Sequence, residues 1–169
     1  MFCTLSRQEL EEWGIWGFSY TGAVYLVMLF VPNILWGRNR PAGYSAESES
    51  RVMQALERLG EIGVTCCALI FKDLNPRPWS PWSLWLAASF GAMALYELWW
   101  VRYFRGPKTM GSFYGSLLGI PVPGAVLPVA AFLLLSIYGR VIWLAGAAVV
   151  LGIGHIGIHL RHRQEVKQS

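Results

Sequence analysis

VIWLAGAAVVLGIGHIGIHLRH, residues 141–162, is the stretch that decides what kind of protein this is. Residues 141–160 contain no Asp, Glu, Lys or Arg, and a helix of about 20 apolar residues crosses the hydrocarbon core of a bilayer. All three histidines of the chain, His155, His159 and His162, lie in this stretch at i, i+4 and i+7. On a helix that spacing makes one stripe. An ionisable group at membrane depth is costly and marks a functional candidate by default.

Working outward, the other 147 or so residues repeat the pattern. The chain is 54% hydrophobic and 14% charged, whereas soluble domains carry roughly 25% charged residues. A length of 169 residues suits a single transmembrane domain and leaves no room for a separate soluble one. The net charge of +4 comes from Lys and Arg in short loops between apolar runs. That is the positive-inside pattern, and it argues against a nucleic-acid partner. Cys3, Cys66 and Cys67 lack the spacing of a zinc site or a disulfide framework and read as small apolar side chains. No P-loop, Gly-x-Ser-x-Gly or Cys-x-x-Cys motif occurs.

Five spans are expected, at about residues 14–36, 51–72, 82–104, 120–138 and 141–160. The predicted fold is therefore an all-α, polytopic bundle of five transmembrane helices. Ahead of the first span, Ser6 and Glu9 form a capping-box pattern for a short interfacial helix over residues 7–13. The N-terminal residues carry no basic n-region and no small-residue cleavage site, so the first span itself is expected to direct insertion. Trp13, Trp16 and Trp36 sit near its ends as an aromatic belt, and Pro32 is expected to kink or end it. Ser45, Glu47 and Ser48 are placed to start the second helix. That segment carries Glu57, Arg58 and Glu61 and could be an amphipathic surface helix or a spanning one. The prolines of residues 73–81 demand a non-helical turn. Residues 110–118 read as a loop or a short interfacial helix. Pro121, Pro123 and Pro128 predict an irregular entry to the fourth span, which cannot face lipid. Ala148, Gly152 and the glycines around them give the last helix a face for close packing. Its basic tail, residues 161–167, reads as a topology signal and a contact for anionic lipid.

Orientation follows from counting. With five spans one side receives Arg38, Arg40, Arg51, Arg102, Arg105, Lys108, Arg161, Arg163 and Lys167, while the other receives Arg7, Lys72, Arg77 and Arg140. The first set belongs in the cytoplasm, which puts the N-terminus outside and the C-terminus inside. Treating the second segment as a surface helix would scatter this asymmetry. The expected location is a cell membrane of bacterial cytoplasmic type, with membrane lipids as partners and a homo-oligomer compatible with the pattern.

Depth then becomes readable from helical rise. Glu57 and Glu61 lie about 9 and 15 Å inside the cytoplasmic boundary, Glu97 about 8 Å, His159 about 3 Å and His155 about 9 Å. Every ionisable group assigned to the bilayer falls in one half of it. Three readings compete. Glu57, Arg58, Glu61, Glu97 and the histidines could be ion pairs that set helix register. They could line a pocket or relay for a proton, ion or small ligand. Or Glu57, Glu61, Glu97, His155 and His159 could hold a metal between facing helices. The function expected is binding or transport of a small ligand or ion through a cytoplasm-facing pocket of Glu57, Arg58, Glu61, Glu97, His155 and His159. The alternatives are a metal-dependent membrane enzyme acting on a lipidic substrate, and a structural or assembly subunit.

Overall fold

The first helix among the described residues is entered through Ser19, whose Oγ accepts the Gly22 N–H at 2.9 Å. This cap satisfies one of the orphan donors that every helix start carries. The helix, α1, is Tyr20–Gly37. It is followed by α2 (Arg51–Ile70), a 3-10 turn (Lys72–Leu74), α3 (Ser83–Arg105), the short α4 (Met110–Phe113), α5 (Pro123–Gly139) and α6 (Ile142–Gln168). The computed structural model describes residues 14–44 and 49–168. The helix expected over residues 7–13 with its Ser6 and Glu9 box, Cys3, and the helix-starting Ser45, Glu47 and Ser48 lie outside the described residues. Among the described residues the fold is all-α, with no strand.

Three helices, α1, α3 and α6, are long and apolar enough to cross a membrane, and α5 is apolar but shorter. Their outer surfaces carry exposed Val27, Ile34, Phe90, Leu98, Trp143 and Ile153. Helices that are apolar on both the core and the outer side are built for lipid. These features have the build of a helical membrane protein.

Several element bounds differ from the sequence expectation, each for a physical reason. The first helix begins at Tyr20 instead of residue 14, because residues 14–19 run extended beside the end of α2. Gly17 N–H donates to Ile70 O at 2.8 Å, Ser19 N–H to Leu69 O at 2.9 Å, and Lys72 N–H returns to Ile15 O at 3.1 Å. Pro32 does not end α1, which continues to Gly37. A proline disturbs the hydrogen bonds of the turn before it, and here Asn33 Nδ2 donates to Leu29 O at 2.7 Å, supplying a donor to a carbonyl in that turn. The final helix runs unbroken to Gln168, so the basic tail is helical. The irregular entry to α5 is present as expected: Leu118 and Val122 adopt left-handed backbone before Pro123 at the first turn.

The most extensive helix contact is α2 on α6, followed by α3 on α5 and α5 on α6, while α1 rests more lightly on α2 and α3. The α2–α6 pair is antiparallel. Gly63 faces Ala147, Gly60 faces Leu151, Met53 and Glu57 face Gly154, and Met53 faces Gly157. Two glycines make this approach possible. A Cβ on Gly60 would stand 2.6 Å from Leu151 Cβ, and one on Gly154 would stand 2.9 Å from Glu57 Cα. Both are closer than side-chain carbons pack, so the backbones could not keep this spacing.

The loops gather at two ends. At one, Tyr103 OH donates to Asn39 O at 2.7 Å and Lys108 Nζ to Asn39 Oδ1 at 2.7 Å, while Arg163 reaches Ser116 Oγ at 3.0 Å. At the other, Trp82 Nε1 donates to Tyr138 O at 3.0 Å and Arg77 N–H to Tyr138 OH at 2.9 Å. Arg140 caps that end, its guanidinium 5.0 Å from the Trp82 ring centroid. Between them the core is aromatic: Tyr25, Tyr96, Trp99, Tyr103 and Tyr138 are buried.

Candidate functional site

Gly154 sets the position of the site, because it lets the α2 backbone close onto α6 one residue before His155. There Glu57 Oε1 and His155 Nδ1 are in direct contact, each side chain 22% exposed. His155 and His159 follow as neighbours on one face, their ring centroids 4.5 Å apart. Glu61, one turn further along α2 than Glu57, has no hydrogen-bond or ion-pair partner among the described residues.

These groups line two adjoining cavities of about 170 and 180 Å³ that share Asn33, Glu61, Gly124 and His155. All five long helices contribute to the first: Leu29, Glu61, Tyr96, Phe132 and His155 come one from each. The second adds Glu57, His159, Trp36, Trp99, Trp100 and Phe113. Among the described residues no Lys or Arg lines either cavity.

Of the residues expected at the site, the structure therefore brings together Glu57, Glu61, His155 and His159. It leaves two outside. Arg58 is exposed and makes no ion pair with Glu57, Glu61 or Glu97 among the described residues. Glu97 is absent from both cavity walls, and its Oε1 is buried without a hydrogen-bond partner. The reason is helical phase: Tyr96 takes the inward position on α3, and the next residue is turned about 100° away from it. The metal reading finds no ligand set, because no group of three His, Cys, Asp or Glu side chains is arranged to hold a metal ion among the described residues.

The third histidine belongs to a separate knot. His162, 3% exposed, places Nε2 3.1 Å from Glu49 Oε1 and Nδ1 3.1 Å from Glu165 Oε2. Gln54 Nε2 donates to Glu49 Oε2 at 3.0 Å and Tyr44 OH to Oε1 at 3.3 Å. The Tyr114 ring stacks on His162 with centroids 5.7 Å apart. Burial pushes the Glu49 carboxyl upward, but the hydrogen bonds from Gln54 and His162 outweigh it and hold the group below its usual range. Burial, reinforced by the Glu49 charge, pushes Tyr44 up to about 12, so its hydroxyl stays a donor. The sequence reading missed Glu49, Tyr44 and Tyr114, which lie in loops with no periodicity to fix their direction. It also missed Asn33, which donates to Tyr96 OH at 2.9 Å. A lone amide inside an apolar span was the available signal.

Compared with protein-family models, with curated proteins and with solved structures, the chain matches none of them.

Proposed function

We propose that this is a small polytopic membrane protein of five spans, N-terminus outside, that binds or moves a small ligand or ion through a cavity open towards the cytoplasm. Residues 14–168 act as one transmembrane domain in this reading. Two arguments support five spans. The charge on α2 keeps it from qualifying as a membrane helix by composition, yet it lies antiparallel along α6 from Gly63 to Met53, so a membrane crossed by α6 is crossed by α2 beside it. Secondly, Asn39, Lys108, Ser116 and Arg163 meet at one end of the bundle, the end to which charge counting assigns the cytoplasm.

The observation that carries the functional reading is Glu61. Glu61, exposed but without a hydrogen-bond or ion-pair partner among the described residues, stands on the wall of a cavity to which every long helix contributes, beside the Glu57–His155 pair. In a structural subunit such a group would be a liability, since an unpaired charge near the membrane core destabilises the fold. Ligand sites keep such groups at a cost to stability.

Glu61→Gln separates the two. A binding site predicts that the ligand-free variant melts at the same temperature as the wild type or higher. A structural role for the carboxylate predicts a lower melting temperature, and that result would reject the pocket. Topology has its own check: cysteines engineered into residues 37–44 and 105–111 should label from the same side of sealed vesicles. Labelling from opposite sides would rule out five spans.

A further inference from the structure

We infer that the ligand of this cavity is a small organic cation, an alkyl- or arylammonium, held by the Glu61 carboxylate and by aromatic faces. The inference rests on the binding reading above and names its ligand class.

Charge points to a cation. The groups that line the two cavities and can ionise as acids near neutrality are Glu57 and Glu61; the bases are His155 and His159, and no Lys or Arg takes part. Glu57 already has His155 as its partner. Glu61 has no such partner among the described residues, Arg58 acting on it only from beyond ion-pair distance, and an anion entering here would meet two carboxylates with no described Lys or Arg on the cavity walls.

The walls decide which cation. A metal ion needs several oxygen or nitrogen ligands closing around it at about 2.0–2.6 Å, and no three candidate side chains are arranged to do so among the described residues. Aromatic side chains share these walls with Glu61. Tyr96 and Phe132 line the first cavity; Trp36, Trp99 and Trp100 line the second. The Trp99 and Trp100 ring centroids are 4.7 Å apart, and Tyr96 stands edge-on to Trp100 at 6.1 Å. Ring faces within about 6 Å attract a poorly hydrated ammonium and do little for a strongly hydrated ion. The proton alone would need no cavity. Taken together, the two adjoining spaces approach the lower end of the roughly 300–1,000 Å³ range of ligand pockets, so the cation is small.

The binding carboxylate must be ionised. Glu61 is faced by Glu57 and Arg58 on its own helix, by His155 on α6 and by the Tyr96 phenol on α3. Protonation of Glu61 removes the attraction, so affinity falls as pH falls.

The test uses the full chain in lipid nanodiscs, read by tryptophan fluorescence and by melting temperature. The probes are tetramethylammonium, choline and phenethylammonium, with dimethylbutanol as the uncharged carbon isostere of choline, and benzoate as an anion. At least one cation should bind saturably, dimethylbutanol and benzoate should not, and Glu61→Gln should weaken the cation about tenfold or more. If dimethylbutanol binds as well as choline, or benzoate binds in place of the cations, the cation assignment falls while the cavity remains a binding site. If no probe binds and Glu61→Gln also lowers the melting temperature, both readings fall; no binding with the melting temperature unchanged overturns the cation alone. Should Glu61→Gln fail to fold, the choline and dimethylbutanol comparison on the wild type still decides.

Discussion

Two of the three histidines meet acids, and they have different tasks. His155 is paired with Glu57 on a cavity wall. His162 is buried between Glu49 and Glu165 and ties the segment before α2 to the end of α6. Removing it leaves Glu49 without its imidazole partner, so His162→Phe should cost about 1.5–3 kcal/mol, the range for a hydrogen bond to a charged group. Thermal unfolding in a fixed detergent would measure this. The knot also has a pH dependence with a definite sign. The Glu49 carboxyl is held below its ordinary value in the folded chain. Its stabilisation is therefore complete above the ordinary glutamate range and is lost as pH falls through the lowered value. Melting curves from pH 7 down to about pH 3 should show a steeper acid decline in the wild type than in Glu49→Gln.

At the scale of the helices, the controlling contact is α2 against α6. Small residues alone allow it, because in lipid helices associate through close packing rather than through the hydrophobic effect. Gly154→Leu would drive a side chain into the backbone of Met53 and Glu57. Overpacking of this kind costs typically about 1–3 kcal/mol, and it would also separate Glu57 from His155. The expected result is a lower melting temperature together with loss of whatever the cavity binds. Gly146, whose position faces open space, serves as the control, and Gly146→Ala should be neutral. At the opposite end, Tyr138 closes the proline turn: its OH accepts from Arg77 N–H at 2.9 Å and donates to Asn75 O at 3.3 Å. Tyr138→Phe removes both and should cost about 0.5–1.5 kcal/mol for each bond lost.

Considered whole, the protein is a ring of long helices around a polar-edged cavity, with aliphatic and aromatic side chains turned outward. An outer surface with exposed Val27, Ile34, Leu98 and Ile153 needs lipid or detergent to cover it. The chain should therefore stay with the membrane pellet through an alkaline carbonate wash and leave it only with detergent. Release into the wash would contradict the membrane reading. Within the ring α1 is the most loosely held member, although Asn33 ties it to Tyr96 and Tyr25 lies 3.1 Å from Ser89 of α3.

The all-helical class, the apolar spans and the single stripe of histidines were legible in the sequence because they depend on periodicity and composition, which are local properties. The common depth of Glu57, Glu61 and His155 was legible too, since helical rise converts sequence distance into depth along the bundle. Rotation about each helix axis was not, because depth says nothing about direction. Glu97 shares the depth of His155 but not its cavity, since Tyr96 took the inward phase. Arg58 missed the cavity walls for the same reason, although Glu57 and Glu61 on either side of it reach them. Loop partners were equally beyond reach: Glu49 and Tyr44 meet His162 across more than a hundred residues of chain, and only the antiparallel packing of α2 on α6, through Gly60 and Gly154, brings them there.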